Sequence, residues 1–155
     1  MIRAEYAISK NKNSNGYYTI YTLFANSAGQ LGGVHRSIDN GTSWGQIGPQ
    51  STGNFTPLST SRSNQGNYNL VITSTSDGEE CIIGGIDLWS WIHTPNSTDP
   101  TNGQWYAISG WWASPSLPFY VHADNHRLFW ANDNTLIVGN DGGVQARFGS
   151  SGPNQ

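Results

Sequence analysis

Apolar and polar residues alternate along this chain in short runs, as in "YYTIYTLFA" and "NYNLVITSTS", and Gly, Asn, Asp or Pro breaks the pattern every ten residues or so. A period of two places successive side chains on opposite faces of an extended strand, and the breakers supply turns. No run carries the three-to-four spacing of a long helix. The pattern therefore predicts an all-β protein.

The predicted strands recur in a fixed order. Gly-Gly followed by a β-branched residue occurs in "GGVHRS", "GGIDLWS" and "GGVQARF", with first glycines at Gly32, Gly84 and Gly142, intervals of 52 and 58 residues. Each copy follows a strand ("TIYTLFANS", "EECII", "NTLIV"), and a further strand lies upstream ("RAEYAIS", "YNLVITS", "HRLFWAN"). A Trp-bearing strand follows the first two copies, "SWGQIG" and "QWYAISG", but not the third. Four short antiparallel strands per repeat of about 40–50 residues is the pattern of a β-propeller blade. The expected architecture is a single propeller segment: a blade over about 1–50, a second over about 66–112, a partial third over about 118–149, and a tail at 150–155.

"SIDNGTSW" resembles the Asp-box of bacterial neuraminidase repeats, S/T-x-D-x-G-x-T/S-W, matching it at Ser37, Asp39, Gly41, Ser43 and Trp44. The second unit resembles an expanded copy, beginning at Ser90 and ending at Gly103 and Trp105, with the Asp position lost in the insertion "WIHTPNSTDPTN". The wider context, including "VHADNH" and "LIVGNDGGV", is similar to secreted propellers of the xyloglucanase and sortilin type. That resemblance implies a structural box on the rim, away from any ligand. Asp39 and Ser37 would take hydrogen bonds from turn amides, Gly41 would supply a positive φ, and Trp44 would pin the next strand.

Composition narrows the function classes. Only 11% of the 155 residues are charged, with two lysines and three glutamates, against about a quarter in an average domain. Gly, Ser, Thr and Asn supply the polarity, which suits a secreted or cell-surface β-protein. The net charge of −3 and the lack of a basic run argue against nucleic acid as a partner. No stretch reaches the roughly 20 apolar residues of a membrane helix. "MIRAEYAISK" has no apolar signal-peptide core, so secretion requires a removed leader or a start other than Met1. Cys81 is the one cysteine, and its neighbours in "CIIGG" predict a buried, inert thiol. Asn40, Asn54 and Asn96 head glycosylation triplets, which an Asn- and Thr-rich chain also makes by chance.

Two stretches carry candidate chemistry. In "YVHADNH", an extended strand would aim His122, Asp124 and His126 one way, as a metal site, a ligand contact or a polar cluster of a channel-lining strand. "WYAISGWWASPSLPFY" holds six aromatics. Its Trp111 and Trp112 either stack on sugar faces together with Tyr120 or pack between blades. Asp141, between Asn140 and two glycines, reads as a turn residue or, with Asp124, as an acid pair for glycoside cleavage, which needs two carboxyls about 5–9.5 Å apart. The acids of xyloglucanase-like enzymes do not map onto this chain residue by residue, and the arginine triad of sialidases has no counterpart among its five arginines. No cofactor is expected.

The favoured expectation is a non-catalytic extracellular binding or scaffold module contacting glycans. The rivals are a subunit that assembles into a fibre or tube through open blade edges, and a fragment of a glycoside hydrolase. Two and three-quarter blades do not close a ring, so copies of the chain or further blades are the expected partners.

Overall fold

A computed structural model of the chain describes residues 1–49, 55–59 and 64–148. Asn54 and the tail at 150–155 lie outside them. The described residues contain eleven strands and no helix, so none is long and apolar enough to cross a membrane. The strands are β1 (Arg3–Lys12), β2 (Tyr18–Ala25), β3 (Leu31–Ser37), β4 (Gly45–Gly48), β5 (Val71–Ser74), β6 (Glu80–Gly84), β7 (Leu88–His93), β8 (Gly103–Ala107), β9 (Asn125–Asn132), β10 (Thr135–Asn140) and β11 (Gly143–Phe148). They form three antiparallel sheets, β1-β2-β3-β4, β5-β6-β7-β8 and β9-β10-β11, each built from neighbours in sequence. β1, β5 and β9 lie side by side, so the first strand of every sheet sits innermost. The arrangement is an incomplete propeller, as the repeat predicts.

Alternation explains how the sheets stack. On β2, Thr19, Tyr21, Leu23 and Ala25 are buried, while Ile20, Thr22 and Phe24 point to the other, more open face. Tyr21, Leu23 and Val34 of the first sheet pack on Ile72, Cys81, Ile83 and Trp91 of the second. The opposite face of the second sheet, through Ile82, Leu88 and Ile108, packs on Leu136 and Val138 of the third. The second sheet is thus sandwiched, which is why all five residues of β6 (ECIIG) are buried where a one-faced strand would alternate. Fully burying each such aliphatic side chain stabilises by about 1.5–3 kcal/mol. Cys81 lies within this core, and burial raises its thiol pKa well above normal, so it is the inert thiol its neighbours predict.

The outer sheets keep one face each in solvent. On the first, Tyr6 and Ile8 are exposed; on the third, Phe129, Val144 and Phe148 are. These are the bare faces expected of an unclosed propeller.

Because the strands run up and down, one end of the stack carries the β1–β2 and β3–β4 turns and their counterparts. The other end carries the β2–β3 and β10–β11 turns and the connections between sheets. At the first end, Ile38–Trp44 is closed by its own polar side chains. Ser37 Oγ donates to Asp39 Oδ1 (2.7 Å) and accepts from Gly41 N (2.9 Å). Asp39 accepts from Ser43 N (2.9 Å) and Ser43 Oγ (2.6 Å). These bonds, chiefly from Ser43, hold the Asp39 carboxyl down at about 2. Gly41 sits at φ 87°, where a side chain would be strained. Trp44 departs from the expectation that it pins the next strand. β4 starts one residue later, and the half-exposed indole folds back over the turn, with Nε1 donating to Gly41 O (3.0 Å).

Ile92 stands where a box starting at Ser90 would have its Asp, and the β7–β8 connection carries an acidic turn of its own further along. Asp99 accepts from Thr101 N (2.8 Å) and Thr101 Oγ1 (2.7 Å), and its own N–H donates to Ser97 Oγ (3.2 Å). Thr101 thus serves Asp99 as Ser43 serves Asp39, and the Asp99 carboxyl is likewise held below its usual range, first by Thr101.

Candidate functional site

The end opposite these turns gathers most of the residues singled out above. Its central feature is a carboxylate shared by two rings. Asp141, in the β10–β11 turn, accepts from His126 Nε2 (2.7 Å) and from Tyr68 OH (3.2 and 3.1 Å to its two oxygens). His126 is the second residue of β9, and Tyr68 lies in the turn that leads into β5. The two rings meet edge to face, centroids 4.9 Å apart. The hydrogen bond from His126 holds the Asp141 carboxyl below the usual carboxylate range, and donation to Asp141 raises the Tyr68 phenol. Arg3, at the start of β1, ties the third inner strand to the group by donating to Tyr68 O (2.8 Å) while pairing with Glu5 (2.9 Å).

"YVHADNH" is not one strand. β9 begins at Asn125, and Asp124 has φ 65°, a left-handed turn conformation that breaks the alternation. The three candidate side chains therefore part company. His126 meets Asp141. Asp124 turns toward the second sheet and accepts from the buried Asn69 Nδ2 (2.7 Å). His122 lies on Gly142, where an added Cβ would come within 2.6 Å of its Cγ, and its own backbone N–H donates to Gln145 Oε1 (3.0 Å). His122, Asp124 and His126 do not converge, and among the described residues no three His, Cys, Asp or Glu side chains are grouped to hold a metal ion.

The aromatic loop is adjacent in topology, joining β8 to β9. It is a series of turns fastened at its base: Gly110 N donates to Phe119 O (3.1 Å), Ala113 N to Gly110 O (3.0 Å) and Tyr120 N to Leu117 O (3.0 Å). Asp87, in the β6–β7 turn of the same end, accepts from Trp111 N (2.9 Å). Burial raises its carboxyl pKa. Trp111 and Trp112 are 49% and 69% exposed, whereas Trp91 and Trp105 are buried between sheets. Neither Trp111 nor Trp112 is buried between the described sheets. Trp112 rests against Phe119 (centroids 5.8 Å) and leaves most of its face to solvent. Tyr120 is half-buried at the base of the loop.

Sequence reasoning did not find Tyr68, Asn69, Arg3 or Asp87. Tyr68 stands 73 residues from Asp141, and only the packing of inner strands joins them. Asp87 had a local signal, an acid within a Gly-rich turn, but its partner is 24 residues away.

No protein-family model and no curated protein matches the chain.

Proposed function

We propose that the chain is a non-catalytic extracellular binding module of the Asp-box propeller type, with a polysaccharide as its ligand. The observation that carries this reading is the exposure of two adjacent indoles, Trp111 and Trp112, on a loop that Asp87 and its own turns hold in place. Flat rings fixed in advance offer apolar contact to the C–H faces of sugar rings at small entropic cost. Hydroxyls need polar partners at the same end, and the exposed Asp141 carboxylate, held in place by His126 and Tyr68, provides an acceptor. The bonding of Ser37, Asp39 and Ser43 agrees with a box that serves the fold at the far end.

A hydrolase reading finds less support. A general acid needs a raised pKa, and Asp141 is held in the opposite direction by His126 and Tyr68. Assembly is the second reading that an observation favours, because the outer faces of the first and third sheets expose Tyr6, Ile8, Phe129, Val144 and Phe148.

The test of binding is titration with soluble polysaccharides, followed by tryptophan fluorescence and calorimetry, on the wild type and Trp112→Ala. Binding that is lost in Trp112→Ala supports the proposal. Absence of binding across neutral and acidic polysaccharides, or equal binding by the variant, overturns it. Light scattering and negative-stain imaging of the same sample decide the assembly reading: filaments without any sugar favour it, and a monodisperse small species rejects it.

A further inference from the structure

The first and second sheets each have four strands, and the third has three. Beside β11 lies an apolar groove of about 520 Å³, bounded by Phe119 and Val121 of the connection and by Val138, Gln145, Arg147 and Phe148 of the sheet. The completed second sheet indicates what belongs there. Its third strand β7 pairs Trp91 with Trp105 and Trp89 with Ala107 of β8, and the same face opposes Cys81 to Trp91 and Ile83 to Trp89 across β6 and β7. In the third sheet the corresponding face opposes Leu136 to Arg147 and Val138 to Gln145. Arg147 thus takes the place of Trp91, Gln145 that of Trp89, and the position of Trp105 has no residue of the three-stranded sheet to fill it.

A hydrogen bond repeats the correspondence. At the junction of the first two sheets, Trp105 Nε1 donates to Ile47 O (2.6 Å). At the next junction the carbonyl of Ile108 accepts from Arg147 instead. Among the described residues the edge of β11 is also unguarded. It pairs with β10 through six residues without a bulge, it carries no proline or lysine, and its single arginine turns inward toward Ile108. Protected edges use such devices against pairing.

We propose that this groove is a docking site for an extended peptide strand that pairs antiparallel with β11 and places a tryptophan over Arg147. The indole would lie on the guanidinium as Trp91 lies on Arg36, 5.3 Å from ring centroid to Cζ, and the backbone would satisfy the free N–H and C=O groups of β11. The seven residues after Phe148 (GSSGPNQ) carry no aromatic or long aliphatic side chain, so their chemistry does not match the seat.

The probe is a labelled peptide of the chain's own fourth-strand sequence, Asn102–Ser109 (NGQWYAIS), titrated into the full chain by fluorescence anisotropy. Saturable binding is expected, weakened about tenfold or more when the peptide carries Trp105→Ala. Hydrogen exchange should slow at Val144–Phe148 on binding. Arg147→Ala in the protein, which removes the guanidinium on which the indole would lie, should weaken binding about tenfold, and circular dichroism checks its fold. Should that variant not fold, the peptide pair and the exchange map still decide the matter. No binding, equal binding of the alanine peptide, or protection elsewhere in the chain overturns the proposal. So does a native dimer whose β11 amides are already protected without peptide, which would assign the groove to a second copy.

Discussion

The two junctions between sheets each hold one arginine, buried at the first and partly exposed at the second, and they differ in how that arginine is used. At the first, Arg36 of β3 is 1% exposed; it donates to Pro100 O and Gly78 O (both 3.0 Å), pairs with Glu79 (3.2 Å), and lies on the rings of Tyr21 and Trp91. Tyr21 OH donates to the same Gly78 carbonyl (2.7 Å). Every contact of the guanidinium group joins the first sheet to the second or braces that joint. At the second junction Arg147 of β11 bonds Ile108 O, and burial pulls its pKa down. The two arginines come from opposite sides of their junctions. Arg36 stands on the preceding sheet and reaches the turn end of the next. Arg147 stands on the following sheet, in the place of Trp91, and bonds back to a carbonyl of the sheet before it, as the fourth-strand Trp105 does at the first junction.

Substitutions test that contrast, in descending order of effect. Arg36→Ala leaves two carbonyls and an aromatic nest without their partner and is expected to cost about 3–5 kcal/mol, since it removes one member of a buried charged network. Arg147→Ala, at the open groove, should cost only about 1–2 kcal/mol. Chemical denaturation of both variants measures the gap, and equal losses would show that the two junctions do not differ in kind. Trp105→Phe keeps an aromatic ring but removes the donor to Ile47 O, for an expected loss of about 1 kcal/mol by the same assay. A loss several times larger would mean that shape, rather than the hydrogen bond, makes the fourth strand matter. Glu79→Gln removes the half-exposed partner of Arg36 and should change stability by less than about 1 kcal/mol. A larger effect would move the weight of the junction from the carbonyls to the ion pair.

The smallest effect is a pH dependence at the turn end. Asp39 has a folded pKa of about 2, depressed from its ordinary value by Ser43 and Ser37. A depressed carboxylate adds stability above the unfolded pKa and loses it as pH falls through the folded one. The Tm difference between wild type and Asp39→Asn should therefore be full near pH 5 and shrink toward pH 2. A difference that is constant over that range would assign the turn's stability to its shape and not to the charge.

Much of the fold was legible because strands and tight turns are local. Alternation and punctuating glycines located all eleven strands, and the absence of a Trp-bearing strand after "GGVQARF" revealed the three-stranded sheet. The site was legible only in part. Gly, Ser and Pro around Trp111 and Trp112 marked a loop, but whether its rings faced solvent depended on Asp87 and Phe119. The reading of His122, Asp124 and His126 as one face failed on a single dihedral, the left-handed turn at Asp124. The second acidic turn escaped notice because Pro100 alone separates Asp99 from Thr101 where the first turn has Asn40, Gly41 and Thr42 between Asp39 and Ser43, and the two spacings no longer align. Tyr68 could not be found from spacing at all, because its contacts with Asp141 and His126 cross from one sheet to another.

The sandwiching of β6 also bears on the order of folding. Each sheet pairs only neighbours in the chain, so its hairpins can close on a timescale of about 1–10 μs without waiting for distant segments. The middle sheet, however, hides Cys81 and Ile83 under one neighbour and Ile82 and Leu88 under the other. As the chain emerges from synthesis, the first two sheets can dock while the third is still being made, leaving Ile82, Leu88 and Ile108 bare. That half-docked species is the one expected to stick to its own kind, and the arrival of β9 and β10 ends its exposure.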